Sequence, residues 1–134
     1  MQNCPFCAII AKQLPAYIVY EDNDVLAILP KEMEAFGHTL ITPKKHYESI
    51  FDVAEQDLRK VISGIQCLSL QYQRTIGATG VNILHASGKD AQQSIPHLHF
   101  HLIPRFPNDQ VNARPSFIQY TGDKTEVLKK LQGR

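Results

Sequence analysis

One stretch constrains this chain more than any other: Pro96-His97-Leu98-His99-Phe100-His101-Leu102-Ile103, where apolar and imidazole side chains alternate. Successive residues of a strand point to opposite faces, so the pattern predicts a strand over 97–103. Leu98, Phe100 and Leu102 then share one face and need a core to enter. His97, His99 and His101 share the other, about 6–7 Å apart along the strand, so that each can address a different part of one ligand.

The rest of the chain supplies that core. Leu58, Val61, Ile62, Ile65, Leu68 and Tyr72 recur at intervals of three and four, the stripe of one long amphipathic helix. Asp52 and Glu55 resemble a capping box at its start, and Gly77 and Gly80 bracket its exit. Residues 16–20 and 25–29 are β-rich runs joined by the polar turn Glu21-Asp22-Asn23-Asp24, which predicts a hairpin. Further strands are predicted over 38–42, closed by Pro43, over 80–85, and over 97–103, ended by Pro104. Short helical segments are predicted over 4–11 and 124–131, with 105–120 irregular. Strands with one long helix between them predict an α+β fold on an antiparallel sheet. With 134 residues, 43% of them hydrophobic and 20% charged, a single domain spanning 1–134 accounts for the chain.

Charge and cysteine usage exclude several functions. Lys plus Arg number 14 against 13 Asp plus Glu, and Lys44-Lys45 is too short a basic run to serve nucleic acid. No apolar run approaches the ~20 residues of a membrane span, and the first residues lack the pattern of a secretion signal. Three cysteines cannot all pair within one chain, so no disulfide framework is expected. A cytoplasmic protein with reduced thiols, no membrane partner and no nucleic-acid partner is the expectation.

Two chemistries suit the histidine row. Three imidazoles with an open position make a catalytic zinc site; alternatively the middle imidazole attacks phosphorus or carbonyl carbon as a nucleophile. The polar loop Gly88-Lys89-Asp90-Ala91-Gln92-Gln93-Ser94 leads into the strand, and Gln93 and Ser94 offer an amide and a hydroxyl to a phosphate oxygen. The combination favours oxyanion binding beside a histidine nucleophile. Cys4-x-x-Cys7 supplies half of a metal site. His85, at a strand end, is expected to face solvent, and Cys67 to pack within the long helix.

The segment 97–103 resembles the signature of the histidine triad (HIT) family, His-x-His-x-His followed by two apolar residues. Cys4-Pro5-Phe6-Cys7-Ala8-Ile9-Ile10, Tyr17-Ile18-Val19-Tyr20-Glu21-Asp22, Gly37-His38-Thr39-Leu40-Ile41 and Pro43-Lys44-Lys45-His46 are similar to its bacterial branch. The resemblance covers about 4–105, leaving 106–134 as a tail. It implies an antiparallel meander, usually a homodimer, and a nucleotide-binding hydrolase or nucleotidyl transferase. Such proteins act at the α-phosphate of nucleoside phosphoramidates or dinucleoside polyphosphates. It implies His99 as the nucleophile that carries the nucleotidyl group and His101 as the histidine at the phosphoryl or leaving-group side. His38, Gln93 and Ser94 would stand at the phosphate, and Phe6, Ile9, Ile28 and Leu29 around the base. Cys4, Cys7, His46 and His97 match a structural zinc site of some bacterial members, with no metal in the catalysis.

The chain departs from the family at Pro30, where an acid commonly bonds the ribose, at Ala86, where an asparagine is frequent, and at Gln92, usually glycine. Those departures keep a second reading in view: a nucleotide sensor or interaction module without turnover. A zinc-dependent hydrolase using the three strand histidines is the third.

Overall fold

In the computed structural model, which describes residues 3–133, the polar turn folds as its chemistry requires. The Asp22 carboxylate accepts the backbone N–H groups of Asp24 and Val25, both at 2.8 Å, and so sets strand β1 (Ile18–Glu21) antiparallel to β2 (Val25–Ile28). β2 pairs with β3 (Thr39–Pro43), and β3 with β5 (Phe100–Arg105). β4 (Gly80–His85) closes the sheet against β5, giving the order β1-β2-β3-β5-β4.

Alternation along the strands divides the core in two. Val25 and Ala27 face the long helix α2 (Glu55–Ile76) together with Ile41, Leu98, Phe100 and Leu102, where Val61, Ile65, Leu68 and Tyr72 meet them. Leu26 and Ile28 face the opposite way and pack with Cys4 and Phe6 of the N-terminal segment, whose short helix α1 covers Pro5–Ile10. The histidine face of the sheet thus lies on the α1 side, and the apolar face of the same segment lies under α2. The C-terminal helix α3 (Lys124–Leu131) is capped by Asp123 on the N–H of Thr125. No described helix is long and apolar enough to cross a membrane.

Four local expectations are corrected. α2 has Ala54 as its N-cap, without a side-chain cap; Asp52 instead accepts the N–H groups of Glu48 and Ser49, closing the preceding turn. It stands two residues too early to reach the free amides of the helix. Ile62, counted in the buried stripe, is 47% exposed, and Cys67 is exposed on α2 instead of packed. β5 starts at Phe100 and runs through Pro104 to Arg105. The β3 ladder already ends at Thr39 and Leu102, so the missing N–H of Pro104 removes no bond on that side. Residues 97–99 precede the ladder, with His97 in a bend, and are held differently: the N–H of Leu98 donates to the Tyr47 carbonyl at 2.7 Å, and the Thr42 hydroxyl donates to the Leu98 carbonyl at 2.6 Å.

Candidate active site

His97 is fully buried, and its two nitrogens have different partners. Nε2–H donates to the Pro43 carbonyl at 2.9 Å, which leaves the Nδ1 lone pair facing Cys4 Sγ at 3.4 Å, Cys7 Sγ at 3.6 Å and His46 Nδ1 at 3.1 Å. Cys7 Sγ lies 3.2 Å from His46 Nδ1, and the four ligand atoms fall within 4.8 Å of one another. Zinc binds sulfur at about 2.3 Å and imidazole nitrogen at about 2.0–2.1 Å, so tetrahedral ligand atoms stand roughly 3.3–3.8 Å apart. The group fits that ion, and the Pro43 carbonyl fixes the ring that would bind it. Burial, then the adjacent Cys4, pushes the Cys7 thiol up to about 11; a bound dication would reverse that by favouring thiolate.

His99 turns the other way. Its Nδ1–H donates to the His97 carbonyl at 2.8 Å, so Nε2 carries the free lone pair. The ring sits 5.2 Å from Phe6 and 5.4 Å from His101 between centroids. Desolvation lowers its pKa from the ordinary histidine value, keeping the imidazole neutral.

His101 meets His38 at 2.9 Å, Nδ1 to Nε2. His38 Nδ1 is buried with no hydrogen-bond partner. An orphaned N–H is the costlier of the two orphans, so His38 donates through Nε2–H, and His101 keeps an Nε2–H of its own to donate elsewhere. Burial, reinforced by His99 and His38, pushes His101 down to about 4, and burial lowers His38 against the opposing field of Glu34.

A cavity of about 240 Å³ opens over these rings, lined among others by Glu34, His38, Gln93, Ser94, His99 and His101. The three strand imidazoles do not converge on one point: His97 addresses the thiols, His99 the cavity and His101 the His38 ring. Gln93 spends both amide hydrogens on the carbonyls of Glu48 and Ile95, at 2.7 and 2.9 Å, and accepts the Gly88 N–H at 2.8 Å. It shapes the loop in this conformation, while Ser94 lines the cavity with no hydrogen bond among the described residues. Phe6 and Ile28 are buried against the histidine face, at 2% and 5% exposure; Ile9 and Leu29 are half-buried.

Two residues of the cavity escaped sequence reasoning. His85 does not face solvent: its Nδ1–H donates to the His99 carbonyl at 2.9 Å, and Nε2 accepts the Ser87 hydroxyl at 2.5 Å. Ser87 in turn accepts the Ile50 N–H at 2.8 Å. Only its register opposite Phe100 could have pointed there. Glu34 belongs to a loop with no motif, and only folding brings it beside the histidines.

The HIT domain model matches residues 11–108. The chain belongs to the HIT family. An uncharacterized HIT-like protein of Methanocaldococcus jannaschii is 38% identical over 130 residues, covering 97% of this chain and 99% of that protein. Adenylylsulfatase HINT3 of Arabidopsis thaliana is 33% identical over 122 residues, 90% of this chain and 62% of its own length. The crystal structure of a Zn-bound histidine triad family protein from Mycobacterium smegmatis matches with a TM-score of 0.79 at 29% identity, over 98% of this chain and 96% of that one. HIT membership supports nucleotide binding and hydrolase or transferase chemistry in general, and the α+β sheet described above is the fold of the family's solved structures.

Proposed function

We propose that this HIT protein cleaves nucleoside phosphoramidates or dinucleoside polyphosphates at the α-phosphate through a covalent nucleotidyl-His99. The observation that carries this is the pair of tautomers: a lone pair on His99 Nε2 and an N–H on His101 Nε2, both at one cavity. In the first step the Nε2 lone pair of His99 forms a bond to the α-phosphorus. The bond to the leaving group breaks, its electron pair goes with that group, His101 Nε2–H donates a hydrogen bond to the departing atom, and solvent supplies the proton. Water then attacks phosphorus, the nitrogen–phosphorus bond returns its pair to His99, and the water proton is released to solvent. Ser94 is assigned to a phosphate oxygen. Gln93 keeps a phosphate role through the loop it braces. Ile9 and Leu29 offer the surface for a base, backed by Phe6 and Ile28. The adenylylsulfatase name of the Arabidopsis relative, which denotes cleavage beside an adenylyl group, supports this reading.

The divergent ring orientations favour it over a zinc hydrolase built on all three strand histidines. Cys4, Cys7, His46 and His97 are assigned to a structural zinc, which would tie the N-terminal segment to the entrance of β5. The Zn-bound Mycobacterium smegmatis relative supports that assignment. The working form is assigned as a cytoplasmic homodimer.

Intact-protein mass spectrometry after rapid, non-acidic quenching tests the chemistry, with an adenosine phosphoramidate as substrate. An adenylyl mass on the wild type, absent from His99→Ala, is the expected result. Turnover that survives His99→Ala overturns the mechanism; binding without adduct or turnover moves the protein to the sensor reading.

A further inference from the structure

The cavity above the histidines is lined by one formally charged residue, and its charge is negative. Glu34 shares the lining with His38, His99 and His101, and no lysine or arginine contributes to it. Its place is set by the backbone: the His38 N–H donates to the Ala35 carbonyl at 3.1 Å, turning the loop immediately before β3. Gly37 fixes that turn further, with φ +80° and room for no Cβ, which would come within 2.6 Å of Pro104 Cγ. Glu34 is exposed to solvent at this cavity, on whose lining it joins the His38–His101 pair, and its field reaches both rings.

His101 Nε2–H is the hydrogen-bond donor assigned to the departing group, so a leaving group exits past Glu34. A departing nucleoside polyphosphate carries several negative charges, and sites that handle such groups set lysine, arginine or a metal ion against them. Here it would meet a carboxylate. An amine leaving group carries no such charge, and one bearing a second ammonium would be drawn toward the carboxylate. Resting on the nucleotidyl-transfer reading above, we propose that Glu34 is a specificity residue that selects cationic amine leaving groups and discriminates against polyanionic ones. The preference that follows is for an amine arm that ends in a cation over one of equal length that ends in an anion.

The test uses three adenosine phosphoramidates whose alkylamine arms have equal length and end in ammonium, methyl or carboxylate, with diadenosine tetraphosphate as a fourth substrate. Values of kcat/KM are compared within each protein, so that any general loss of folding or rate cancels. Wild type should prefer the ammonium arm over the carboxylate arm by about tenfold, less as salt is added. Glu34→Gln should bring that ratio close to one, and Glu34→Lys should invert it and raise relative turnover of the tetraphosphate. A wild-type ratio near one, or an undiminished ratio in Glu34→Gln, overturns the proposal while leaving the His99 chemistry standing. No turnover of any of the four by wild type overturns that chemistry, and the proposal with it.

Discussion

The buried His38 and the half-buried His101 form an imidazole pair whose properties depend on a single unpartnered atom, His38 Nδ1. Because the folded state excludes water from the pair, it resists protonation: His101 is pushed from 6.5 down to about 4. The unfolded chain takes up a proton near the ordinary value, so between pH 6.5 and 4 it binds more protons than the folded one, and stability is lost as pH drops through that window. The expected loss attributable to His101 is on the order of 1–2 kcal/mol, after discounting for solvent screening. Urea unfolding at pH 7, 5.5 and 4 should therefore show a steeper decline for wild type than for His101→Gln, and parallel declines would refute this. Asp109 leaves the window undisturbed, because its hydrogen bonds with Arg105 and with the backbone N–H groups of Phe106 and Val111 hold its carboxyl far below the usual range. His101 was legible in the sequence as a member of the alternating row. Its partner atom and tautomer were not, since they depend on how β3 and β5 come into register, 63 residues apart in the chain.

At the level of elements, periodic signals translated well. The alternation of 97–103 sent Leu98, Phe100 and Leu102 into the core under α2, and the three-and-four spacing put Val61, Ile65, Leu68 and Tyr72 against them. Where one residue type fits two local structures, the sequence could not choose: Asp52 caps a turn instead of a helix, and Pro104 continues a strand that its residue type usually ends. His85 and Glu34 carried no period or motif and became visible only through contact. The Cys4-Cys7-His46-His97 group draws together three such elements: α1 with its cap, the segment after β3, and the entrance to β5. Zinc there would replace packing that the short α1 supplies only weakly, so removing it should loosen the N-terminal segment and the base of the triad together. Dialysis of the zinc-loaded protein against a chelator is expected to lower Tm on the order of 10 °C. Cys7→Ser should begin from that lowered value and respond little to the chelator. A Tm indifferent to chelation, or purified protein free of zinc by elemental analysis, would remove the structural-metal assignment.

For the whole molecule, the decisive feature is what the sheet leaves uncovered. Among the described residues β4 pairs only with β5, so its outer edge presents backbone groups with no strand partner there. Ile83, opposite Leu102 in the register, therefore faces the α2 side of the sheet and is half exposed. Beside it, a groove of about 750 Å³ runs along α2, lined by Leu58, Ile62 and Ile83 among others. An open strand edge next to an apolar helix face invites association with another sheet. A two-fold pairing of this face with itself closes both edges at once, because one patch meets its own copy. Such a contact would cover Ile62, which is 47% exposed on α2. Light scattering should accordingly give about twice the 15.1 kDa chain mass. Ile62→Glu would set carboxylates into the apolar contact from both copies, and the variant should shift toward the single-chain mass. Its Tm should also lose the dependence on protein concentration that a dimer shows. A wild-type mass of one chain across the micromolar range would refute the pairing and leave the exposed face of α2 without a partner.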